Sequence, residues 1–230
     1  MPGAKLGDEA GEDEEVADLA MSRALGTPAS ERVLRTRGRQ TMARLLDAGR
    51  DVVARQGHQA ARIDDIVQEA AVSHGTFYLY FTDKDDLLRA LAEECVEEVV
   101  ELAVGLGPVE PGEAGFREVR AWVARFFETY ERWGAVIRVF MERRHVDRRL
   151  AARGTEAFTS IRRSLQARLA EASSPAAGRD DPSTGLAAAA MLAMVERYAY
   201  LVVARGIPLD TDDLLDTVAR MVHRGFFGGR

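Results

Sequence analysis

Residues 62–87, RIDDIVQEAAVSHGTFYLYFTDKDDL, constrain this chain more than any other stretch. Ile63, Ile66, Val67 and Ala70 recur at helical spacing and make one apolar face. Ser73 then stands where an N-cap belongs, with Thr76 three residues on. From Ser73 to Tyr80 the small and polar groups come first, and Tyr78 and Tyr80 come last. A helix built this way can bring its N-terminal end against base edges in a DNA major groove, with no bulk in between. The stretch therefore predicts two short helices, a tight turn and a capped start to a long helix.

The run Gly75-Thr76-Phe77-Tyr78-Leu79-Tyr80-Phe81-Thr82-Asp83-Lys84-Asp85-Asp86-Leu87 resembles the signature of TetR-family transcriptional regulators. The resemblance extends over about Arg39 to Leu91. It implies an N-terminal three-helix helix-turn-helix domain joined by a long helix to a helical ligand-binding and dimerisation domain. Carried onto this sequence, it assigns DNA contacts to His74, Gly75, Thr76, Tyr78, Tyr80 and Lys84. The chemistry of each fits. Gly75 allows close backbone approach, His74 can donate to a purine acceptor, and the hydroxyls can reach phosphate oxygens. Lys84 adds a cation beside a helix N-terminus. Ser73, as the cap, and Arg62, at the front of the preceding helix, complete the candidate set. Two positions depart from the family pattern. Ala61 stands where a capping Thr or Ser is common, and Ala71 stands where the turn often has Gly. A left-handed alanine costs about 1 kcal/mol.

The net charge of −6 argues against a nucleic-acid binder until its distribution is read. Residues 1–30 are rich in Asp and Glu, whereas residues 32–62 hold eight arginines against Asp47 and Asp51. The expected organisation is an acidic then basic flexible extension over 1–36, the DNA-binding domain over 37–82, and the ligand-binding and dimerisation domain over 83–230. The basic arm could follow phosphates or the minor groove. The single cysteine, Cys95, excludes an internal disulfide. No apolar run is expected to reach the ~20 residues of a membrane span, and the cytoplasm is the expected location.

The helical pattern predicts an all-α fold of nine helices, at about 39–56, 61–70, 73–80, 82–106, 113–132, 133–146, 154–173, 184–205 and 210–226. Gly57 ends the first, and Thr82 caps the fourth with Asp85 at the third position of a capping box. Gly154 is read as a break between helices.

In the C-terminal part, Trp122, Phe126, Tyr130, Phe140, Met141, Met191, Met194 and Tyr198 form an aromatic and methionine stripe. Such a stripe is more often plain core. Given the resemblance, it is expected to line a cavity for a small apolar or amphipathic effector, with long-chain acyl compounds plausible. The last two helices are expected to form a homodimer interface, from the small face at Ala187 to Ala190 and from Leu214, Leu215, Val218, Met221, Val222, Phe226 and Phe227. A two-fold dimer implies a palindromic double-stranded DNA operator. Neither an enzyme active site nor a metal or cofactor site emerges, because the four histidines are scattered without metal-ligand spacing. The competing readings are an architectural DNA binder without an effector and, more distantly, a helical enzyme acting on acyl ligands.

Overall fold

A computed structural model describes residues 36–143, 148–172, 182–204 and 210–228. The extension, apart from Thr36, lies outside them, as do residues 229–230. Among the described residues there are eight α-helices: α1 (Thr36–Gln56), α2 (Ile63–Glu69), α3 (His74–Tyr80), α4 (Lys84–Val104), α5 (Glu113–Arg143), α6 (Arg148–Ala172), α7 (Pro182–Ala199) and α8 (Thr211–Phe226). A π-helical turn, Tyr200–Ala204, continues α7. The chain divides into two compact units, residues 1–94 and 95–230.

In the first unit, Leu45, Leu46, Val52 and Val53 of α1, Ile66 and Val67 of α2, Phe77 of α3, and Phe81, Leu87 and Leu91 are all buried. Gly49 lets α1 lie close to α4, since a Cβ there would sit 2.6 Å from a Leu87 methyl. Gly57 ends α1 with a left-handed φ of 77°. The second unit buries Val119, Trp122, Val123 and Phe126 of α5 with Ile161 and Leu165 of α6, Met191 and Val195 of α7, and Val218 and Val222 of α8.

Several expectations need correction. The helices expected at 113–132 and 133–146 are not separate, because α5 runs unbroken through Trp133 and Gly134. Trp133 is buried and its indole N–H donates to Glu98 at 2.7 Å, so packing outweighs the cost of an interior glycine. Gly154 lies inside α6. The Phe140 ring occupies the space a side chain there would need, with Cζ 2.4 Å from the Cβ position. At the start of α4 the cap is Asp83 rather than Thr82, with the Asp86 N–H donating to Asp83 Oδ1 at 2.8 Å. Asp86 returns the favour by accepting from the Thr82 N–H at 3.0 Å. Finally, the segment Ser183–Val203 is long and apolar enough to cross a membrane by length and composition, with 28% of its most apolar stretch buried.

Candidate nucleic-acid interface

The recognition elements are positioned by two turns. Arg62 is the extended N-cap of α2, and its backbone N–H donates to Asp65 at 3.3 Å. At the other end, the Val72 N–H returns to the Val67 carbonyl at 3.0 Å and the Ala71 N–H to Gln68 at 3.2 Å. This is a Schellman closure, and it requires a left-handed residue after the C-cap. Ala71 supplies it with φ 51°. Arg55 holds α2 onto α1 by a 2.6 Å ion pair to Glu69.

Ser73 caps α3 as expected, accepting the Thr76 N–H at 3.0 Å, with the two hydroxyls 2.9 Å apart. Arg62, Ser73, His74 and Gly75 are exposed, and Tyr78 is 42% exposed. A Cβ at Gly75 would meet nothing closer than Ser73 Oγ at 3.6 Å. The front of α3 thus presents backbone, an imidazole and small hydroxyls to solvent. Phe77 and Phe81 are fully buried beneath it, with ring centroids 5.6 Å apart. The two tyrosines are not equivalent: Tyr80 is packed inward at 7% exposure.

Two side chains have partners that sequence reasoning missed. His74 Nε2 lies 2.9 Å from a carboxylate oxygen of Asp64 on α2. Lys84 Nζ donates to the carbonyls of His58, Gln59 and Ala61 at 3.0, 3.2 and 3.1 Å. An ammonium has three protons, so the expected phosphate contact of Lys84 meets a competing use of the same donors. No local sequence signal marks either pairing, since the partners of Lys84 lie more than 20 residues away.

Residues 45–91 match the profile of the bacterial regulatory proteins of the tetR family. Over these residues the chain resembles the N-terminal domain of the TetR family. The HTH-type transcriptional regulator YvdT of Bacillus subtilis is 37% identical over 62 residues, which are 27% of this chain and 32% of that protein. The fatty acid metabolism regulator protein of the same organism is 35% identical over 57 residues, 25% of this chain and 29% of that protein. The matches thus span about a third of the length of these relatives. Among solved structures, the fatty acid degradation regulator FadR of Bacillus halodurans has a TM-score of 0.60 at 21% identity, covering 79% of this chain and 93% of that one. That likeness is one of fold and extends into the second unit. These relatives are named as regulators, not enzymes.

In the second unit, six of the eight predicted ligand residues lie within one core. Trp122, Phe126, Tyr130 and Met191 are buried, while Met194 and Tyr198 are half-buried against them. Trp122 donates to the Leu102 carbonyl at 3.1 Å, and Trp122, Phe126 and Tyr130 follow each other at ring separations of 5.9 and 6.5 Å. Phe140 packs on Gly154, and the side chain of Met141 lies outside the described residues. The Tyr130 hydroxyl donates to Glu196 at 3.2 Å, and burial with this carboxylate beside it raises the phenol pKa. Burial, with Glu98 nearby, pushes the Cys95 thiol up to about 12, as suits the inert thiol expected. A small pocket of about 110 Å³ lies elsewhere, lined by Gly112, Glu113, Phe116, Arg220, His223 and Arg224.

The dimer expectation also changes its basis. Leu214, Leu215, Val218, Val222 and Phe227 are buried within the subunit, so they are not free for a partner. What stays exposed is Met221 at 45% and, on α7, Leu186 at 73% with Ala190 and Ala193 on the same face.

Proposed function

We propose that this protein is a sequence-specific, effector-responsive transcriptional regulator, most simply a repressor, that binds a palindromic operator as a homodimer. The observation that carries this reading is the exposed front of α3. Ser73, His74 and Gly75 are exposed to solvent, with Phe77 and Phe81 buried behind them. In this reading His74 and Gly75 face base edges, while Thr76, Tyr78 and Arg62 meet the backbone.

The effector is an apolar or amphipathic small molecule, long-chain acyl compounds first among them, received among Trp122, Phe126, Tyr130, Met191, Met194 and Tyr198. Methionine and stacked aromatics repack readily around such a guest. Two relatives are named as regulators of fatty acid metabolism or degradation, which favours the same class. The dimer forms through the exposed apolar face of α7. A large apolar face left in water marks an association surface, and two-fold pairing would set the recognition helices about 34–36 Å apart or a multiple of that. The effector acts by binding more tightly to a conformation with the wrong spacing.

The test is selection of genomic fragments by the purified protein at moderate salt, followed by sequencing. Enrichment of one palindrome, and its release by a long-chain acyl thioester, is the expected result. Uniform recovery of all fragments would instead indicate an architectural binder, and release by no acyl compound would remove the effector class.

A further inference from the structure

Lys84 is the first residue of α4, and its ammonium sits where three carbonyls of the α1–α2 turn converge, those of His58, Gln59 and Ala61 at 3.0, 3.2 and 3.1 Å. The next residue grips the same turn: Asp85 Oδ1 lies 2.8 Å from Nε2 of His58, a side chain 7% exposed. Ala61 is buried and immediately precedes Arg62, the N-cap of α2. The place where α2 begins is therefore tied to the first turn of α4. From there the Schellman turn at Ala71 hands its position on to α3.

We propose that Lys84 is a positioning residue of the DNA-binding domain, a clamp on the 58–61 turn rather than a phosphate contact. This rests on the DNA-binding reading above. The chemistry favours lysine for the task. A tetrahedral ammonium directs three protons at three acceptors from one point, whereas a guanidinium spreads its donors in a plane suited to carboxylate or phosphate. The composition agrees: the chain has 29 arginines and only two lysines, so arginine is its ordinary cation. Lysine stands at the one described position where three carbonyls meet a compact charge, and a phosphate contact would be served as well by arginine. Three peptide dipoles already offset the ammonium, and drawing it to a phosphate would strip those carbonyls of their donor.

The experiment compares the full-length protein with Lys84→Gln and Lys84→Arg. Amide hydrogen exchange is followed over residues 58–66, and affinity for a duplex selected by the wild-type protein is measured across a salt series at a temperature where all are folded. A clamp predicts exchange about tenfold faster or more in both variants. It also predicts weaker DNA binding with an unchanged slope of log affinity against log salt, and no rescue by arginine. Unchanged exchange overturns the proposal. So does a slope reduced by about 1 in Lys84→Gln together with wild-type affinity in Lys84→Arg, the behaviour of a phosphate contact. Should Lys84→Gln unfold the first unit, Lys84→Arg decides alone: lowered affinity and fast exchange with the charge retained support the clamp, and wild-type behaviour overturns it. If the wild-type protein selects no duplex, the DNA-binding reading fails, while the exchange measurement still decides the clamp.

Discussion

At the scale of single residues the helix-turn-helix carries one visible strain and one visible cap. Ala71 holds φ 51° because the closure of α2 demands it. An L-residue loses roughly 1–2 kcal/mol there, and glycine returns part of that as chain entropy. Ala71→Gly is therefore expected to stabilise the first unit by about 0.5–1 kcal/mol, read as a raised melting transition in calorimetry. Ser73→Ala removes the acceptor of the Thr76 N–H and should cost about 1 kcal/mol, with weaker DNA binding beyond that loss if Ser73 also meets phosphate. Both positions could be picked out in the sequence, because caps and turns obey local rules. The partners of Lys84 and His74 could not, since those bonds join residues brought together only by folding.

Among the elements, the contact of α5 with α8 is the most specific. The loop before α5 leaves no space at Gly115, where a Cβ would fall 1.7 Å from the Glu110 carbonyl oxygen. The obstacle is backbone, so Gly115→Ala should cost about 3 kcal/mol and lower the melting point of the second unit. Arg120 of α5 bonds Asp216 and Asp212 of α8, and Arg220 adds a second bond to Asp216 at 3.0 Å. The hydrogen bond from Arg120 holds the Asp216 carboxyl below its ordinary value of 3.8. A depressed folded-state pKa stabilises the fold above the unfolded value, and that gain is lost as pH falls through the folded value. Urea midpoints should consequently separate wild type from Asp216→Asn at pH 7 and converge below the ordinary aspartate range. A separation that persists in acid would mean that packing, not charge, is what the substitution removes. The elements themselves were mostly legible, because amphipathic period and caps are written locally. The fused α5 and the glycine inside α6 were not, because Trp133–Glu98 and Phe140–Gly154 are contacts made across the fold.

For the molecule as a whole, the proposed pairing through α7 makes a prediction. Leu186 is 73% exposed in the first turns of α7, on a face that Ala190 and Ala193 continue. A glutamate there would bury an unpaired charge in any dimer formed through that face. Leu186→Glu is expected to leave the subunit folded and to weaken the dimer about thirtyfold or more by sedimentation equilibrium. A dimer of unchanged strength would move the interface elsewhere.

The all-α class, the helix-turn-helix and its exposed front were determined by the sequence, because helical period, N-caps and an aromatic signature act within a few residues of one another. Tertiary structure alone decided which apolar residues are core and which remain outside. The face of α8 expected for a partner is consumed by α5, and the lysine expected on phosphate is turned onto three carbonyls. In each case a side chain with two physically reasonable uses went to the partner that the folded chain brought within reach.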